Sequence, residues 1–159
     1  MNNRAESSRA DTVSRVILAS PRTLYRAHLD PEMMANWRVP EGMRAEMLAF
    51  DGRLGGGYRM ALHYPAAEPA GAGKSEPGID RFEGQFTELV PDEMIVEQVR
   101  FESDDPAFAE PMTIVTTLRA VRDGTKVTVE CSHVPSVISV EDHLAGMNSS
   151  LRNLAMLTE

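Results

Sequence analysis

With 159 residues, 42% of them hydrophobic, the chain suits one domain with a sizeable core and is too apolar for a disordered polymer. A net charge of −8 argues against nucleic acid as a partner, because binding phosphates needs a concentrated basic face and the arginines here are scattered. No apolar run nears the roughly 18 residues that cross a bilayer, the first residues (MNNRAESSRADTV) hold no signal-like core, and Cys131 is the single cysteine, so a cytoplasmic protein with no membrane partner and no internal disulfide is expected.

Residues 1–11 are polar and read as a disordered N-terminal segment, leaving 12–159 as a single domain. Val13 to Ala19 reads as the first strand. Ser20-Pro21 and Asp30-Pro31 each set an N-cap residue before a proline at the first helical position. Two short helices follow, one to about His28 and one ending near Trp37, before Val39-Pro40.

From Met43 the apolar period turns to two. Strands are expected at Met43 to Phe50 and, after the Asp51-Gly52 turn, at Gly57 to Tyr64. Tyr58, Met60, Leu62 and Tyr64 share one face of the latter. Residues 65–78 (PAAEPAGAGKSEPG) read as a mobile loop. Ile79 to Leu89 places Phe82, Gly84 and Phe86 on one face, and Pro91-Asp92 turns the chain into Met94 to Phe101. Asp104-Asp105-Pro106 interrupts the sheet before Met112 to Val121, and Asp123-Gly124 signals a hairpin into Thr125 to His133. Last comes a long helix whose stripe is Leu144, Met147, Leu151, Leu154 and Leu157. Helices kept apart from an antiparallel sheet of six to seven strands make the class α+β.

Several stretches in this order resemble one family. They are Ser20-Pro21, Trp37, Gly55-Gly56-Gly57-Tyr58-Arg59-Met60, Phe82-Glu83-Gly84-Gln85-Phe86, Ile95-Val96-Glu97, Asp123 to Val129, and Gly146 to Leu154. The chain resembles the helix-grip (START-like, SRPBCC) superfamily, and within it bacterial proteins similar to the C-terminal domain of the Hsp90 ATPase activator (AHSA1-like). The resemblance implies a curved sheet wrapped around the C-terminal helix. It names no single reaction, since the superfamily includes chaperone co-factor domains, lipid and hormone binders and aromatic cyclases.

The expected function is therefore binding of an apolar or aromatic small molecule between sheet and helix. The alternatives are a cyclase- or hydratase-type enzyme using the same cavity, or an interaction domain with a chaperone partner. A homodimer through an edge strand or the outer sheet face is a further expectation that no pattern compels. Candidate lining residues are Trp37, Tyr58, Met60, Phe82, Phe86, Glu97, Val99, Phe101, Met112, Ile114, Met147 and Leu151. The ten methionines fit either a Met-tolerant core or an adaptable cavity.

Chemistry-bearing groups are sparse. His28, His63, His133 and His143 form no metal-ligand spacing, so neither a metal nor a cofactor is expected. Cys131 reads as a buried core thiol, although His133 lies two residues on. Gly55-Gly56-Gly57 lacks phosphate-loop spacing and suits a bend. Of the acids, Glu83 and Glu97 stand out. If Glu97 faces inward with Ile95 and Val99, burial should raise its pKa and suit it to donating a proton; if Met94, Val96 and Gln98 face inward, it is wet. No convergent catalytic set is visible, so Glu97 is the sole catalytic candidate and the balance falls on binding.

Overall fold

A computed structural model of the chain describes residues 9–40, 42–65 and 78–159. The elements run β1 (Ala10–Ile17), α1 (Pro21–His28), α2 (Pro31–Trp37), β2 (Arg44–Phe50), β3 (Gly57–His63), β4 (Ile79–Val90), β5 (Met94–Phe101), a 3-10 turn (Pro106–Phe108), β6 (Met112–Val121), β7 (Gly124–Ser132) and α3 (Val140–Thr158). Residues 66–77 of the expected loop lie outside the described residues.

Both short helices start as their sequences dictate. The Ser20 hydroxyl accepts from the Thr23 N–H at 3.2 Å, and the Asp30 carboxylate accepts from the Met33 N–H at 2.9 Å. Each fills one of the orphan donors of a first turn. Ser139 caps α3 the same way, accepting from Asp142 N–H at 3.1 Å.

The seven strands form one antiparallel sheet in the order β1-β7-β6-β5-β4-β3-β2. Two bulges, between Met47 and Ala49 in β2 and between Phe86 and Glu88 in β4, add local twist and help curl the sheet. Gly55 and Gly56 extend the β3–β4 pairing to this second bulge: Gly55 N–H donates to the Phe86 carbonyl and Phe86 N–H to that of Gly56, both at 2.9 Å. The β6–β7 connection is tighter than the Asp123-Gly124 signal suggests. Val121 pairs with Gly124, so the turn is Arg122 and Asp123, with Asp123 taking the left-handed conformation at φ 68°.

The core fills the concave side. Val13 and Ile17 of β1, Met60 and Leu62 of β3, Phe82 and Phe86 of β4, and Ile95 and Val99 of β5 are buried there. α3 lies against β1 and α2 and buries Leu151, Leu154 and Ala155. Leu157, expected on the same stripe, is instead 39% exposed. Six residues beyond Leu151 is a rotation of about 240° at 3.6 residues per turn, which carries it off the packed face.

The boundary drawn at residue 12 is also moved. Ala10 and Asp11 already pair with Ser132 and Cys131, and Asp11 is buried. Arg9 donates to both Asp11 carboxylate oxygens at 3.2 and 2.8 Å and to the Ile138 carbonyl at 2.6 Å. His143 of α3 meets Asp11 through Nδ1 at 2.7 Å. Polarity in Arg9-Ala10-Asp11 thus reflects a polar clasp between β1 and α3.

Candidate functional site

The direction of β5 fixes the site. Ile95, Glu97 and Val99 point inward, and Glu97 has no solvent exposure. A charge there has to find a partner. Arg38, the residue that stops α2, supplies it: one terminal nitrogen lies 3.1 and 3.0 Å from the two Glu97 oxygens. The other terminal nitrogen donates to the Tyr58 hydroxyl at 2.8 Å, and that hydroxyl donates to Glu97 at 2.5 Å.

Tyr58 reaches Glu97 because β4 yields to it. Tyr58 pairs with Gly84, and Gly84 in turn with Val99 of β5. A Cβ on Gly84 would land on the Tyr58 ring, so only glycine lets the ring cross β4 to a carboxylate on the next strand. This is a physical reason for glycine in Phe82-Glu83-Gly84-Gln85-Phe86.

The network sets the protonation states. Burial pushes the Glu97 carboxyl up, but the Arg38 charge and the hydrogen bonds from Arg38 and Tyr58 outweigh it, and the pKa falls below the usual carboxylate value. Burial raises the Tyr58 phenol well above its ordinary value, against the opposing pull of Arg38. At neutral pH the cluster is therefore carboxylate, guanidinium and neutral phenol. Glu97 does face inward, yet it is not the raised, proton-donating acid that burial alone would give. Reading β5 by itself omitted the arginine brought in by α2.

Trp37 and His28 brace this corner. The Trp37 indole N–H donates to the Ala27 carbonyl at 2.9 Å, and its ring lies 4.6 Å from that of His28. The Arg38 guanidinium sits 4.8 Å from the Trp37 ring centre, within cation–π range.

Beside the cluster is a partly enclosed cavity of about 100 Å³. Its floor is Met112, Ile114 and Thr116 of β6 with Val129 and Cys131 of β7; α3 roofs it with His143, Met147, Ser150 and Leu151; His28, Trp37 and Arg38 form the wall. A water takes about 30 Å³ of liquid, and an apolar cavity of about 150 Å³ holds benzene. The space therefore suits a molecule near the size of one ring, with flexible Met112 and Met147 able to give way.

Of the candidate lining residues, Trp37, Met112, Ile114, Met147 and Leu151 border this space. Tyr58 and Glu97 stand behind Arg38 and do not border it. Met60, Phe82, Phe86, Val99 and Phe101 lie elsewhere, in the packed core or at its edge. Tyr58, Phe82, Phe86, Phe101 and Phe108 meet in a chain of ring contacts 5.5–6.2 Å apart, which fills the hollow under β3–β5. Sequence reasoning did not place Arg38, Thr116, Val129, Cys131, His143 or Ser150 on this lining. His28 had one usable signal: with Leu24 and Ala27 it forms the buried stripe of α1.

The remaining candidates resolve simply. Cys131 is buried, with Sγ 3.7 Å from Met112 Sδ, and burial pushes its thiol up to about 12, so it is no ready nucleophile. His133 leaves the strand at φ 60° and is exposed, so the two do not pair across a strand face. Glu83 is exposed on the outer face. That face also carries an open depression of about 590 Å³ along Gly55 to Arg59, Gln85, Gln98 and Arg100. It is larger than the cavity and touches Tyr58, but neither Arg38 nor Glu97 borders it, and its Arg59 is committed to Glu102 at 2.6 Å. Among the described residues no helix is long and apolar enough to cross a membrane, and no three metal-ligating side chains converge.

A curved seven-stranded antiparallel sheet with a C-terminal helix packed on it defines an α+β protein of the helix-grip kind. The model of the family described as activator of Hsp90 ATPase homolog 1-like protein matches residues 18–159, and the chain belongs to that family. A solved protein of Chromobacterium violaceum is 31% identical, with a TM-score of 0.81 over 95% of this chain and 98% of its own. Two more distant structures share the fold. One, from Rhodobacter sphaeroides, has 15% identity and a TM-score of 0.75, covering 95% of this chain and 91% of its own. The other, an AHSA1-like protein of Aeromonas hydrophila, has 13% identity and a TM-score of 0.69, covering 93% and 90%. No curated protein matches the chain.

Proposed function

We propose that the protein binds a small apolar or aromatic molecule, about one ring in size, in the cavity between β6–β7 and α3. The observation that carries this reading is the contrast in lining. Met112, Ile114, Val129, Met147 and Leu151 give apolar contact, while Arg38, Thr116 and Ser150 give a few polar groups, the usual make-up of a small-molecule site. Membership of a fold family that commonly takes hydrophobic ligands agrees with it. A cyclase- or hydratase-type role has less support, because Glu97, the acid it would use, accepts three hydrogen bonds and sits behind Arg38.

Methyl-labelled NMR of the whole chain titrated with benzene tests the proposal. The Met112, Ile114 and Met147 methyl resonances should shift together and saturably, and Ile114→Phe, which fills the space, should abolish the response. Unmoved methyls, or shifts that Ile114→Phe leaves intact, would contradict it.

A further inference from the structure

One side chain on the cavity wall, His28, takes no part in the Arg38–Tyr58–Glu97 network. It is the last residue of α1 and is 1% exposed. Its Nδ1 lies 2.8 Å from the Leu24 carbonyl oxygen, which can only accept, so Nδ1 carries the hydrogen. Burial, helped by the nearby Arg38 charge, lowers the imidazole pKa to about 4. At neutral pH the ring is therefore uncharged, and Nε2 holds a bare lone pair.

No described residue donates to that lone pair. Yet among the described residues no buried side-chain nitrogen or oxygen is left without a hydrogen-bond partner. Nε2 is thus not fully enclosed, and the ring that carries it borders the cavity. Arg38 complements it. Its terminal nitrogens are engaged by Tyr58 and Glu97, while its Nε–H has no acceptor among the described residues. The wall therefore offers one unused acceptor and one unused donor. The charges near it are matched, Arg38 by Glu97 and Arg9 by Asp11, so an ion entering the cavity would find no uncompensated partner.

Resting on the binding role above, we propose that the ligand is an uncharged molecule with a hydroxyl or N–H group that donates to His28 Nε2, phenol being the simplest hydroxylated aromatic of this class. An unpaired buried acceptor rejects a ligand lacking the donor, because its own desolvation is then uncompensated.

The test is a comparison of benzene, phenol and anisole on the full chain, read by the 15N resonances of the His28 ring. Phenol should bind at least tenfold more tightly than benzene and move the Nε2 resonance while Nδ1 stays fixed. Anisole, whose oxygen has no hydrogen to give, should gain nothing over benzene. Equal binding of benzene and phenol, binding of phenol with Nε2 unmoved, or anisole matching phenol would each overturn the assignment while leaving the apolar site standing. Failure of all three to bind would overturn the binding role with it.

Discussion

The two halves of the sheet's hollow face are built from different side chains and end in different states. Under β3–β5, Tyr58, Phe82, Phe86 and Phe101 interlock ring against ring, and Phe86 has no exposed surface. Under β6–β7, the inward positions are Met112, Ile114, Thr116, Val129 and Cys131, and a gap of about 100 Å³ remains beneath α3. Curvature is shared; filling is not. Aromatic rings spend the space that a curved sheet creates, whereas medium-sized chains leave it open. The Arg38–Tyr58–Glu97 cluster lies at the seam. It ties β3, β5 and the end of α2 together and leaves the Arg38 Nε–H unused where Arg38 borders the gap.

That contrast can be broken by mutation. Phe86→Ala, in the filled half, should cost about 3–5 kcal/mol of unfolding free energy. Met147→Ala, beside existing space and only partly buried, should cost about 1 kcal/mol. Urea denaturation of the two variants checks this, and equal losses would erase the distinction.

Acid probes the seam next. Below pH 6.5 the unfolded chain protonates His28, whereas the folded chain resists until about pH 4, so stability falls across that window. The loss from this group should approach roughly 3 kcal/mol. Glu97 acts in the same sense: its lowered pKa contributes stability above the ordinary carboxylate value, and that is lost as pH falls through the folded value. Urea midpoints at pH 7 and pH 4.5 should differ accordingly; a flat profile would contradict the buried neutral imidazole.

A smaller effect should come from Gly84→Ala. The added methyl displaces the Tyr58 ring, at about 1–3 kcal/mol, and should separate Tyr58 from Glu97 without emptying the cavity. Loss of the Tyr58–Glu97 hydrogen bond in the variant's crystal structure, with the β6–β7 lining unchanged, is the expected result.

Much of the fold was legible because its signals are local. The Ser20-Pro21 and Asp30-Pro31 starts, the period of two from Met43, and the α3 stripe each depend on residues within a few positions. Part of the candidate site was legible for the same reason: Trp37, Met112, Ile114, Met147 and Leu151 are apolar residues on faces that had to turn inward. The rest depended on meetings across the chain. Arg38 follows a helix end and looks like any surface arginine until 59 positions of sequence separation close to put it on Glu97. Likewise Asp11 and His143, 132 positions apart, have no mutual signature in one sequence. The expected raised pKa of Glu97 failed on this ground: burial was read from β5, but its counter-charge came from α2.

Xenon under pressure offers the most direct measurement, because it enters apolar space regardless of ligand identity. In crystals of the protein, xenon should occupy the gap bordered by Met112, Ile114 and Met147, and none should enter beneath Phe82 and Phe86. Xenon absent from that gap, or lodged instead among the aromatic rings, would contradict a fillable site under α3.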